Sequence, residues 1–293
     1  MRDPLFILAF DHRASLPATL KMNEDLEEAR PALERAKTVV FDGLVAAADG
    51  LDPGTSALLV DEQLGAAVAR RVRDAGLVLA MPVERSGEAL FEFEYPDWKA
   101  HIERFEPDLV KVLVRWNPLA DREGNARQGE RLAQLSSWLT DHGRPLMLEL
   151  LVPATDAQAM DDRYDTDVRP ELAAGAMREI RDAGVEPRLW KLEGVDRPED
   201  ARELSRTARE GGRGDVRCVI LGRGADPAQV DRWLRVAAPV EGFAGFAIGR
   251  SIWAEPLRAW LAHGPSPDRT AKAVAENYLA FVDVYERALA AAR

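Results

Sequence analysis

Short apolar runs alternate along the chain with longer amphipathic stretches rich in Ala, Arg and Glu. Eight of the runs read as buried strands, at residues 5–10, 57–60, 77–81, 109–114, 146–150, 188–192, 218–221 and 244–248. Several are apolar without interruption, the pattern of parallel strands covered on both faces. The segments 24–48, 63–74, 127–141, 169–182, 198–210 and 227–236 carry helical periodicity, and Gly76, Gly143, Gly184 and Pro187 punctuate their ends.

Eight rounds of strand and helix predict an α/β fold, a single (β/α)8 barrel over residues 1–293. An amphipathic helix at 270–293 is added at the end, suited to packing or to an oligomer contact. The main rival is an open doubly wound sheet, which carries a glycine fingerprint after its first strand. Here Asp11-His12-Arg13 follows that strand, with no glycine. The length of 293 residues also suits one barrel, a unit of about 250 residues.

Composition excludes several function classes. A net charge of -11 argues against nucleic acid and anionic membranes as partners, and obliges an anionic ligand to find a local positive site. One cysteine, Cys218, allows no internal disulfide and fits a reducing compartment. The apolar run 5–10 is too short for a signal peptide, and no window reaches the ~20 apolar residues of a membrane span, so a cytoplasmic location is expected. The histidines, His12, His101, His142 and His263, show no metal-ligand spacing; neither a metal nor any other cofactor is expected.

Lysine is the informative residue. There are 6 lysines against 33 arginines, yet Lys111 and Lys191 both fall within expected strands. An unpaired ammonium in a strand interior is costly, so such a lysine either pairs with an acid or has a lowered pKa that makes it a nucleophile. Lysines on strands four and six would converge inside the barrel and depress one another. The alternative is a structural ion pair. Acids stand at many strand ends: Asp11, Asp61 and Glu62, Glu84, Glu149 and Glu193. Asp11 and Glu149 are the candidates for proton transfer or for orienting the lysines; capping or ion pairing is the other reading of each.

An anion site is expected where Gly222-Arg223-Gly224-Ala225 and Gly249-Arg250-Ser251 follow strands seven and eight. Glycine lets backbone N–H groups approach a phosphate, the next helix N-terminus adds a favourable dipole, and Arg250 supplies a planar fork. Arg223 could instead point to solvent. Arg13 and Glu193 complete the substrate-binding candidates. Trp116 and Trp190 are expected to pack core or rim, and Trp253 to anchor the last helix.

Several motifs occur together in order: Leu8-Ala-Phe-Asp-His-Arg13, Leu59-Val-Asp-Glu62 with Gly65, Val110-Lys-Val-Leu-Val-Arg115 with Asn117-Pro118, and Trp190-Lys-Leu-Glu193. Val219-Ile-Leu-Gly-Arg-Gly-Ala225 and Gly245-Phe-Ala-Ile-Gly-Arg-Ser-Ile-Trp253 complete the set. Over nearly the whole chain they resemble the aldolase-like domain fused behind the 5-dehydro-2-deoxygluconokinase of inositol catabolism. More distantly they are similar to class I tagatose 1,6-bisphosphate and sulfofructose 1-phosphate aldolases. The resemblance implies a Schiff base on Lys191, a second lysine at Lys111, acids at Asp11 and Glu149, and phosphate bound by Arg250. It also implies cleavage of 2-deoxy-5-keto-gluconate 6-phosphate to dihydroxyacetone phosphate and malonate semialdehyde. Gly194 stands where the resemblance leads one to expect proline, and the Asp-rich loop 153–168 is placed to reshape the site.

The expected protein is thus a class I aldolase acting on a phosphorylated sugar, a homo-oligomer in solution. Two other functions fit the same residues: a phosphosugar isomerase or epimerase using the acids alone, and a phosphosugar-binding module without turnover.

Overall fold

A computed structural model of the chain describes residues 4–22, 25–262 and 264–292. Glu24, His263 and Arg293, which belong to features expected above, lie outside the described residues. Eight parallel strands close into a barrel in chain order. They are β1 (Leu5–Phe10), β2 (Ser56–Val60), β3 (Val78–Pro82), β4 (Leu109–Arg115), β5 (Leu146–Leu151), β6 (Leu189–Glu193), β7 (Arg217–Leu221) and β8 (Phe243–Ile248). Pairing of β8 with β1, Leu5 opposite Gly245 and Leu8 opposite Ile248, completes the ring. This is the expected (β/α)8 architecture, with no strand limit shifted by more than one residue.

The uninterrupted apolar strands have a simple cause. Alternate side chains fill two separate cores. Ile7, Leu59, Leu109, Met147, Leu189 and Val219 belong to the plug inside the barrel. Their neighbours Phe6, Leu8, Leu58, Val110, Leu148 and Trp190 belong to the layer between barrel and helices. The same period of two lifts Lys111, Glu149 and Lys191 onto the interior face, each one step above the plug residue that precedes it.

The outer helices are α1 (Leu16–Thr19), α2 (Leu26–Ala48), α3 (Glu62–Val72), α4 (Trp98–Phe105), α5 (Arg122–Asp141), α6 (Arg169–Asp182), α7 (Pro198–Arg209), α8 (Pro227–Ala237), α9 (Arg250–Leu261) and α10 (Pro267–Ala291). Asp25, Asp61, Asp97, Asp121, Asp226 and Ser266 each accept the N–H three residues on, and so start six of them. The cap at Asp121 explains why α5 begins at Arg122 rather than at 127. The expected added helix is α10, and it packs against α2, α8 and α9. A side chain at Gly43 of α2 would lie 2.6 Å from the Ala271 carbonyl oxygen, so glycine sets how closely these helices approach. Tyr278 and Tyr285 of α10 donate to the carbonyls of Phe6 (2.8 Å) and Phe243 (3.1 Å), tying the helix to the barrel wall.

Candidate functional site

A cavity of about 610 Å³ opens at the C-terminal ends of the strands, the face on which barrels of this kind carry their chemistry. Asp11, Glu84, Lys111, Glu149, Lys191 and Arg250 all line it. Glu149 and Lys191 are register partners on β5 and β6. Glu149 Oε2 lies 2.9 Å from Lys191 Nζ and 3.0 Å from Lys111 Nζ, so one carboxylate oxygen bridges both amines. Lys111 is also bound by Asp11 at 2.7 Å and by Glu84 at 2.6 Å.

The two lysines therefore differ. Burial would lower the Lys111 pKa, but Asp11, Glu149 and Glu84 overcome it and hold the ammonium well above its ordinary value. The expectation that the lysines depress one another fails for Lys111, because three carboxylates outweigh one cation. Among the described residues Lys191 has one acid, Glu149, as ion-pair partner, and it lines the cavity.

The acids differ as well. Burial works to raise Asp11 and Glu149, but Lys111 and Lys191 hold both below the usual carboxylate range. Glu84 is raised, because burial dominates over Lys111 and Arg13. His12, on the cavity wall, is lowered to about 4, chiefly by burial against the opposing pull of Asp11. Its ring meets Trp253 edge-on with centroids 5.1 Å apart.

At the far rim, Gly249 precedes α9 and offers no side chain to cap it. Arg250 and Ser251, the first residues of the helix, line the cavity, and the first N–H groups of a helix have no partner within it. A side chain at Gly249 would lie 2.3 Å from the Ala9 carbonyl oxygen, so only glycine allows this approach to β1. Arg250 rests across Gly224, with a nitrogen donating 3.0 Å to the Arg223 carbonyl and no carboxylate partner among the described residues. Gly224 has a φ of +74°, and a Cβ there would lie 2.2 Å from the guanidinium. Gly222 lines the same rim.

Three of the expected ligand contacts also have partners within the protein; of these, Arg13 and Arg223 line the cavity and Glu193 does not. The Arg223 guanidinium is held by Asp165 at 2.6 Å and Glu193 at 3.0 Å rather than pointing free into solvent. Glu193 in turn accepts the Val152 N–H at 3.0 Å. Arg13 is buried and donates to Glu94 at 3.1 Å and to the Glu84 carbonyl at 2.7 Å, so it orients Glu84 from behind. Asp165 comes from the Asp-rich loop, whose effect on the site is to fix Arg223.

Asp61 and Glu62 do not join the cavity ring. Asp61 caps α3 and pairs with Lys37 at 2.7 Å, both fully buried. Glu62 lies 3.4 Å from His101 Nε2. Trp116 donates to Glu179 at 2.7 Å, and Trp190 is buried in the outer core layer. Trp253 anchors α9, the helix before the last, by donating to the Ala9 carbonyl at 2.9 Å. Gly194 is required where it stands, since a Cβ would fall 2.1 Å from the Trp233 ring. Glu84 and His12, outside the proton-transfer candidates read from sequence, are part of the site. Their signal was position alone, at the exits of β3 and β1. Among the described residues no group of His, Cys, Asp and Glu could hold a metal ion, and no helix is long and apolar enough to cross a membrane.

Solved structures share this fold. A Schiff-base-forming fructose-1,6-bisphosphate aldolase superimposes with a TM-score of 0.57 at 17% identity, covering 94% of both chains. An archaeal fructose-1,6-bisphosphate aldolase, with its catalytic lysine covalently bound to the carbinolamine intermediate, gives 0.57 at 18% identity over 94% of both chains. The Corynebacterium glutamicum protein Cgl0159 gives 0.59 at 16% identity, over 94% of this chain and 86% of that one. At such identities the likeness is one of fold. No curated protein matches the sequence. A family model does, across residues 1–289, and the chain belongs to that family, DUF2090, described as an uncharacterized protein conserved in bacteria.

Proposed function

We propose that the protein is a class I aldolase that cleaves a phosphorylated keto-sugar through a Schiff base on Lys191. The observation that carries this reading is a cavity-lining lysine whose ion-pair partner, Glu149, is shared with a second lysine that stays charged. Glu149 accepts a proton from the Lys191 ammonium and frees the amine. The amine adds to the substrate ketone, and the carbinolamine loses water to leave a protonated imine. Glu149, or Asp11 through a water, then takes the proton from the hydroxyl next to the breaking bond. That hydroxyl carbon becomes an aldehyde, and the electrons of the broken C–C bond move into the iminium to give an enamine. Protonation of the enamine carbon and hydrolysis release the second product and restore Lys191. Lys111 remains an ammonium and steadies developing oxyanions. Arg250 and the N–H groups at the start of α9 hold the phosphate and set the register of the chain across the mouth.

The substrate we favour is 2-deoxy-5-keto-gluconate 6-phosphate, giving dihydroxyacetone phosphate and malonate semialdehyde; tagatose 1,6-bisphosphate and sulfofructose 1-phosphate are the other class members. The test is to incubate each with the protein in excess chelator and assay dihydroxyacetone phosphate, the product expected from the favoured substrate. Conversion without C–C cleavage would replace the aldolase by an isomerase or epimerase. Ligand-raised melting temperature with no conversion of any of them would make the protein a phosphosugar-binding module.

A further inference from the structure

Behind the cavity lies a buried ion pair, neither member of which lines it. Lys37 of α2 and Asp61 at the exit of β2 are 2.7 Å apart, and both side chains are 0% exposed. An ammonium has three protons to place. Besides Asp61, the Lys37 amine donates to the Phe10 carbonyl and, at 3.0 Å, to the His12 carbonyl. It also stands 4.2 Å from the Phe10 ring centroid. Those two carbonyls bracket Asp11. The pairing of β1 with β2 ends at Phe10 opposite Val60, so Asp11 stands on backbone that has left the ladder. Lys37 supplies what the ladder no longer does.

We propose that Lys37, paired with Asp61, is a positioning residue for Asp11, fixing the carbonyls of the residues on either side of it and thereby the carboxylate against Lys111. A buried ion pair alone is replaceable by apolar side chains at little loss. The two carbonyl bonds are not replaceable in that way, because no apolar side chain can donate to them. The consequence for turnover rests on the aldolase reading; the placement of Asp11 does not.

The experiment compares the wild-type protein with the double variant K37M/D61N. Asparagine keeps the cap on the Leu64 N–H while removing the charge that Lys37 would otherwise leave unpaired. Lys37→Arg serves as a second variant, since it keeps the ion pair while altering reach to the carbonyls. Folding is verified by thermal melting. Two quantities are then read: the titration of the Asp11 carboxyl by ¹³C NMR, and the rate of borohydride-trapped imine with dihydroxyacetone phosphate, with affinity for inorganic phosphate as the control. In the folded variants Asp11 should titrate closer to an ordinary aspartate, and trapping should slow ~10- to 100-fold. Phosphate affinity should stay within about twofold, because the α9 site does not depend on the pair. An Asp11 titration and a trapping rate both unchanged in either folded variant would overturn the proposal. Should the wild-type protein trap no imine, the aldolase reading falls, and the Asp11 titration alone still decides the role of Lys37.

Discussion

Glu149 faces Lys191 directly across the β5–β6 pairing, its Oε2 2.9 Å from the amine and 3.0 Å from Lys111 on the other side. In the proposed mechanism this one acid takes the proton from Lys191 while Lys111 stays charged. Glu149→Gln keeps the shape and removes that acid. It is expected to lower kcat by ~10²- to 10⁴-fold, with KM for the phosphorylated substrate little changed, as steady-state kinetics would measure.

Lys111 is the hub that neutralises Asp11, Glu84 and Glu149. Lys111→Met leaves the buried Glu84 and Glu149 and the half-buried Asp11 without their common cation. A loss of about 3–5 kcal/mol in denaturant unfolding is expected, as for breaking a buried ion pair from one side. If stability were unchanged, the acids would have to be protonated together or hydrated, and the electrostatic picture of the site would be wrong.

The fold and the lysines were legible in the sequence because both follow from period-two burial. An apolar strand covered on both faces has no reason to hold an ammonium, so Lys111 and Lys191 stood out. Arg13, Arg223 and Glu193 could not be placed by the same reasoning. Each sits at a strand exit, but whether it meets ligand depends on Glu94, Asp165 and Val152, which reach it from loops far along the chain. Lys37 was invisible for a different reason: on an amphipathic helix a lysine reads as surface, and only the meeting of α2 with the exits of β1 and β2 buries it. Helix α4 was missed because it is one short segment within the long connection from β3 to β4.

The depressed imidazole of His12 sets a pH window. Its pKa falls from the usual 6.5 to about 4 on folding, so the folded state prefers the neutral ring. That contribution to stability is complete above the unfolded value and is lost as pH falls through the folded one. Melting temperature should decline between about pH 6.5 and pH 4, and His12→Gln should flatten that part of the profile. Asp11 and Glu149, held below the usual range, add losses at lower pH still.

Arg250→Ala tests the anion site. Removing its guanidinium should raise KM for a phosphorylated ligand by ~10- to 100-fold, the worth of a charged hydrogen bond, and leave kcat within a few-fold. Equal affinity for phosphorylated and unphosphorylated ligands in the wild-type protein would contradict the assignment.

The most direct measurement is covalent. The protein is incubated with dihydroxyacetone phosphate, reduced with borohydride, digested, and the modified peptide sequenced by mass spectrometry. The account predicts one adduct, on Lys191, absent from Lys191→Met. An unmodified protein, or an adduct on Lys111 in place of Lys191, would contradict it.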